Sequence, residues 1–133
     1  MLSKNLRKII EKTYEMDPKT TKTYEDAFSH FGFKCPMDLK ELGKEYGGGF
    51  FEVAPSVSWH LYSPQNIILS EKHVPFNIKK EKMVPIIDCN ENLFICYDAI
   101  NAIYVFYAPL DNDKAMENQS LEKMLEEFLR KDS

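Results

Sequence analysis

Long apolar runs are missing from this chain of 133 residues. None approaches the ~20 residues that a membrane-crossing helix needs, so an integral membrane protein is not expected. Clustered positive charge is missing as well. The 17 Lys and Arg are outnumbered by 21 Asp and Glu, for a net charge of −4. The densest basic stretch, Lys79-Lys80-Glu81-Lys82, is short and interrupted, and reads as a solvated loop. Nucleic-acid binders carry a basic face, so direct binding of nucleic acid is not expected. Cysteine is scarce and odd in number. Cys35, Cys89 and Cys96 lack metal-ligand spacing and make no disulfide framework; they fit buried thiols in a reducing compartment. Nor does the start look like a secretory leader, because Met1 to Ile10 alternates charged and apolar residues. The expected location is the cytoplasm, where the Asn118-Gln119-Ser120 sequon has no use.

What is present fits one soluble domain over residues 1–133. Hydrophobic residues make up 44% and charged residues 29%, and a chain of this length buries roughly 70% of its unfolded surface without staples. Aromatics are plentiful at 13%, nine Phe and seven Tyr. They predict an aromatic-rich core, with an aromatic contact surface for a partner as the alternative. The acidic balance suits a basic protein partner, since opposite surface charge steers association.

The order of elements is helices, then strands, then a helix. Leu2, Leu6, Ile9, Ile10 and Tyr14 recur at helical spacing until Asp17-Pro18. Thr23, with Asp26 three positions on, caps a second helix striped by Tyr24, Ala27, Phe28 and Phe31, which Gly32 ends. Pro36 opens a third, with Leu39, Leu42 and Tyr46 inward, which ends at Gly47-Gly48-Gly49. Short strands follow at Phe50–Val53 and Val57–Leu61, then a turn or short helix from Ser63-Pro64-Gln65-Asn66, and a polar loop or short helix over Ser70–Lys82. Met83–Ile87, Leu93–Tyr97 and Ala102–Ala108, joined by short turns at Asp88–Asn92 and Asp98–Asn101, read as a meander. Last comes an amphipathic helix capped by Ser120, with Leu121, Met124, Leu125, Phe128 and Leu129 on one face and Glu126–Arg130 and Glu127–Lys131 pairs on the other. The expected fold is α+β: N-terminal helices, a central, mostly antiparallel sheet of about five to six short strands, and a C-terminal helix packed on it.

Motifs that would carry chemistry are incomplete. The triple glycine is not a phosphate loop, because Phe50 and Phe51 follow it and open a strand where a Gly-Lys-Ser/Thr helix start is needed. More glycine than a helix cap requires marks a sharp reversal, or a place where a backbone or a ligand comes close. Asp88, Asn90 and Asn92 fill the first, third and fifth places of a calcium loop, but Leu93 and Ala99 stand where its glycine and its bidentate Glu belong. A β-turn explains them. A cysteine nucleophile would pair Cys35, Cys89 or Cys96 with His30, His60 or His73, yet nothing local marks any of them as activated. Of Trp59 and His60, adjacent in a strand, one is expected to face solvent. Asp98, closing an apolar strand, caps a turn or holds a partner, with the turn preferred. No catalytic, cofactor-binding or metal site is expected, and no cofactor; the partner-binding residues are unknown.

Three stretches resemble the SUKH superfamily, which includes bacterial immunity proteins and a fungal cell-wall synthesis regulator. The first is Pro36-Met37-Asp38-Leu39-Lys40-Glu41-Leu42-Gly43-Lys44-Glu45-Tyr46-Gly47-Gly48-Gly49-Phe50. The second is Val84-Pro85-Ile86-Ile87-Asp88 with Leu93-Phe94-Ile95-Cys96-Tyr97-Asp98 and Ile103-Tyr104-Val105, and the third is the closing helix from Ser120 to Leu129. The resemblance implies one SUKH-like domain and a non-enzymatic cytoplasmic protein. Its partner would be a cognate polymorphic toxin, a nuclease for example, neutralised by covering its active site. The alternatives are a regulatory interaction module and, at greater distance, a small hydrolase using a Cys/His or carboxylate site beside the glycine turn.

Overall fold

The computed structural model of the protein describes residues 22–131 and, before them, Lys4, Arg7, Lys8, Glu15 and Met16. Thr23 opens the helical layer as the sequence predicts. Its hydroxyl accepts the Asp26 N–H while the Asp26 carboxylate accepts the Thr23 N–H, which satisfies two groups that a helix start leaves unpaired. Helix α1 (Tyr24–His30) buries Tyr24, Ala27 and Phe28. After a reversal at Gly32, α2 (Met37–Glu45) follows Pro36 and buries Leu39 and Leu42, with Tyr46 buried just past its end. The two helices cross closely: a Cβ on Gly43 would lie 2.9 Å from the Tyr24 ring. The helix expected from Leu2, Leu6, Ile9, Ile10 and Tyr14 lies outside the described residues. Lys4, Arg7 and Lys8 are helical, and Arg7 meets Glu45 at 2.7 Å.

The triple glycine serves a close backbone approach. Gly48 has φ +114°, and a Cβ there would sit 2.6 Å from the Ser63 nitrogen and 2.8 Å from its Cα. Ser63 is itself the cap of α3 (Pro64–Ser70), in a second reciprocal box with Asn66. The turn after α2 and the start of α3 are therefore pressed backbone to backbone.

The strands are β1 (Glu15–Met16), β2 (Gly49–Ala54), β3 (Val57–Leu61), β4 (Met83–Asp88), β5 (Phe94–Asp98), β6 (Ile103–Ala108) and β7 (Asp113–Asn118). They lie side by side in chain order, every neighbouring pair antiparallel. Two short elements complete the α+β architecture: α4 (Ile78–Glu81) in the Ser70–Lys82 stretch and α5 (Leu121–Lys131) at the end. The predicted sheet runs from Phe50 to Ala108; the structure adds β1, paired with β2 where the helical run toward Asp17-Pro18 is expected, and β7. The β7 strand is mostly exposed and polar, so no apolar alternation announces it, and an extra residue at Met116 (φ +52°) kinks it.

Register sorts the side chains onto two faces. Phe51, Trp59, Leu61, Ile87, Ile95, Tyr97 and Tyr104 share the face covered by α1, α2, α3 and α5, in one core with Phe28, Leu39, Leu42, Ile67, Leu121, Met124 and Leu125. Phe28 meets Tyr97 edge-on at 5.7 Å, and Phe128 packs 4.4 Å from Trp59. On the opposite face Met83, Phe94, Cys96, Val105 and Tyr107 lie under Val74 and Phe76. The Tyr107 hydroxyl donates to Glu81 and so pins the α4 end of that cover. Central strands β4 and β5 are buried on both faces, which is why their sequence is apolar almost without a break. Pro85 is tolerated next to a bulge in β4.

One carboxylate joins three elements. Asp38, in the first turn of α2, accepts the Tyr104 hydroxyl from β6 at 2.6 Å and the Leu121 N–H at the start of α5 at 3.0 Å. Ser120 caps the same helix from the chain itself, its hydroxyl accepting the Lys123 N–H. The side chains of Arg130 and Lys131 lie outside the described residues, and Glu127 accepts from Asn118.

Gly48→Ala is expected to lower unfolding free energy by about 2 kcal/mol or more, since it adds a backbone clash to an unfavourable φ; urea denaturation measures it, and a neutral result would contradict the close approach. Asp38→Ala is expected to cost about 2–4 kcal/mol, because it strands the buried Tyr104 hydroxyl and removes a cap. Adding Tyr104→Phe should then cost less than the sum of the single changes, as a double-mutant cycle will show.

Candidate functional site

The cover formed by residues 70–82 stops short of one corner of the sheet. There β2 and β3 carry Phe50, Glu52, Ser58 and His60 on the face away from α1 and α2. Phe50 remains 46% exposed. Its ring stacks on the cross-strand His60 with centroids 4.3 Å apart and planes at 10°. His60 in turn meets Tyr62 edge-on at 5.2 Å. Trp59, its neighbour in the strand, is buried, so the expected division between the two holds. The corner therefore presents a row of aromatic rings, of which Phe50 and His60 are fixed by strand register.

The row leads into a cavity of about 400 Å³, lined by Tyr62, His73, Val74, Asp88, Asn90, Glu91, Asn92 and Phe94. Four parts of the chain meet there: the end of β3, the loop after α3, the β4–β5 turn and the start of β5. Tyr62 is held from behind, since the Tyr24 hydroxyl donates to its carbonyl and its own N–H donates to Ile86 at 2.9 Å. The β4–β5 turn has an unusual backbone. Asn90, Glu91 and Asn92 have φ of +72°, +52° and +60° in succession. Left-handed residues other than glycine are costly, and Asn bears the conformation best. Asp88 offsets the cost by accepting the Asn90 N–H at 2.9 Å, and the Asn90 amide donates to the Ser58 carbonyl at 3.0 Å. These bonds account for the Asp and Asn content that resembles a calcium loop. Among the described residues no group of three or more His, Cys, Asp or Glu is arranged to hold a metal ion.

Burial, and then the charge of Asp88, push the Tyr62 phenol up to about 12, which places that carboxylate's field on the hydroxyl. The thiols are set against nucleophilic use. Burial raises Cys35 to about 12 and lifts Cys89 and Cys96 well above the usual thiol range, so all three stay protonated. Cys35 and Cys89 donate to the backbone carbonyls of Pro36 and Ile87. Cys96 is fully buried in the sheet. Of the candidate histidines, His30 lies exposed on α1 against Phe31, His60 joins the aromatic row, and His73 lines the cavity. Asp98 does what a turn requires: buried, it accepts the N–H groups of Ile100 and Asn101 and the Asn101 amide. A second cleft, about 210 Å³ beside the glycine turn, is lined by Lys22, Thr23, Tyr24, Gly43, Tyr46, Gly47 and Pro64, without Cys, His or carboxylate. Lys79, Lys80 and Lys82 are exposed, as expected of a solvated loop, but Lys79 and Lys80 lie in α4 and Lys82 caps it.

No family model, no curated protein and no solved structure matches the chain. No helix among the described residues is long and apolar enough to cross a membrane.

The raised thiols and phenols have a consequence for stability. The unfolded chain releases thiol protons near 9 and phenol protons near 10, whereas the folded chain retains those of Cys35, Cys89, Cys96, Tyr62 and Tyr104. Above those values the folded state holds more protons, so stability falls as pH rises. Urea midpoints measured across alkaline pH are expected to hold level to about pH 8 and to decline steadily toward pH 12; a rise in that range would contradict the burial.

Proposed function

We propose that the protein is a non-enzymatic binding protein that neutralises a cognate bacterial toxin by covering a basic surface of it, as an immunity protein of the SUKH type. The observation that carries this reading is the corner of the sheet beyond residues 70–82, where the half-exposed Phe50 forms an aromatic row with His60 and Tyr62 beside Asp88 and Glu91. Aromatic rings on a rigid strand scaffold bury large area at little entropic cost, which is what a protein contact uses. The acidic groups beside them, and the net charge of −4, favour a basic partner such as a nuclease groove.

A hydrolase draws less support. Asp88 and Glu91 share a cavity with His73, but Glu91 is exposed, Asp88 is engaged by its own turn, and the thiols are buried and protonated. General acid–base work needs a carboxylate shielded from water and tuned for the task. A regulatory interaction module would use the same corner, and differs in having no toxin gene beside its own. We place the protein in the cytoplasm on this reading.

The test is coexpression with the toxin encoded next to this gene. Growth rescue and co-purification of the pair are expected, with both lost in a Phe50→Ala/Glu52→Lys variant whose circular dichroism is unchanged. Absence of rescue and of binding by the unaltered protein would sink the immunity reading.

A further inference from the structure

We propose that the cavity between Tyr62, Asp88, Glu91 and Phe94 is an anchor site for a single arginine side chain of the partner. The inference rests on the binding reading above and gives it a definite contact. The cavity is polar and open on one side, with Val74 and the Tyr62 and Phe94 rings as its apolar part. Its charged lining residues are acidic, Asp88 and Glu91, with His73 the remaining titratable side chain apart from Tyr62; none of the lysines of the Ser70–Lys82 stretch lines it. One Asp88 oxygen accepts the Asn90 N–H, and among the described residues no other donor meets that carboxylate. The amides of Asn90 and Asn92 add neutral acceptors to the same rim.

A guanidinium matches this set better than other ligand groups. It is planar, so it lies against an aromatic ring; it carries five donors, enough for a carboxylate and an amide carbonyl together; and it sheds water more readily than an ammonium. An anion would meet two carboxylates, and a purely apolar group would leave Asp88 and the amides without partners. Rigidity favours capture as well. Tyr62 is fixed by two hydrogen bonds through its backbone, and Asn90, the first of the three left-handed residues, is held by Asp88 and by the Ser58 carbonyl, so little motion is lost there on binding.

The probe is N-acetyl-arginine amide, titrated at pH 8 into the isotope-labelled full chain and followed by amide NMR, with the neutral isostere N-acetyl-citrulline amide as control. Saturable shifts confined to Tyr62, His73 and the Asp88–Phe94 turn are expected with arginine and not with citrulline. Asp88→Asn keeps the acceptor that the turn needs and removes the charge; it should weaken the arginine titration about tenfold. Ile100→Ala, exposed on the β5–β6 turn and outside the cavity, should leave it unchanged. Equal shifts with citrulline, or an unaltered titration in Asp88→Asn, would overturn the site. The titration needs no partner: a saturable pocket in a protein that rescues no toxin defeats the immunity reading alone, and rescue with a blank titration defeats the pocket alone.

Discussion

The carboxylate of Asp38 holds together what the chain order keeps apart. It reaches from α2 to β6, 66 residues on, and to the start of α5, 83 residues on. Each bond answers a need that burial creates. The Tyr104 hydroxyl sits in a fully buried side chain, and a helix start docked on a sheet has N–H groups to satisfy. One charged acceptor does both, so the angle of α5 on the sheet and the position of α2 beneath it are set together. Phe128 can then reach Trp59 and Phe106 only because the start of α5 is fixed. Gly48 and Ser63 do the equivalent at the other end of α2, where van der Waals contact between backbones replaces a hydrogen bond.

A sheet buried on both faces at its centre demands two covers, and the chain supplies unequal ones. Four helices cover one face. The other has a stretch of a dozen residues, anchored by Val74, Phe76 and the Tyr107–Glu81 bond. That cover lies over β4, β5 and β6 and, among the described residues, stops short of β2 and β3. The exposed aromatic corner follows from this shortfall, and the candidate site is the boundary where the thin cover ends.

Much of the fold was legible in the sequence because its signals are local. The Thr23 box, Pro36 at a helix start, the turns at Asp88–Asn92 and Asp98–Asn101, and the spacing of Leu121, Met124 and Leu125 each declare a structure within a few residues. The glycines also declared a close approach, though not that Ser63 was the neighbour. What escaped depends on partners distant in sequence. β7 has no apolar face of its own and exists as a strand by pairing with β6. The cavity escaped for a related reason: Tyr62, His73, Asp88 and Phe94 are brought together by register and by the path of the cover, and none carries a local mark of it. Asp88 was read correctly as a turn residue, yet its second oxygen gains a role only through what faces it.

The form of β7 bears on how the molecule avoids its own copies. An edge strand offers unpaired backbone groups to any other strand, and stacking of sheets edge to edge is a route to fibrils. Here the edge carries Asp113, Lys114 and Glu117 and bends at Met116. Charge makes a second such strand unwelcome, and the kink spoils the straight ladder that it would need. The same polarity that hides this strand from a sequence reader guards this edge of the sheet against a further strand.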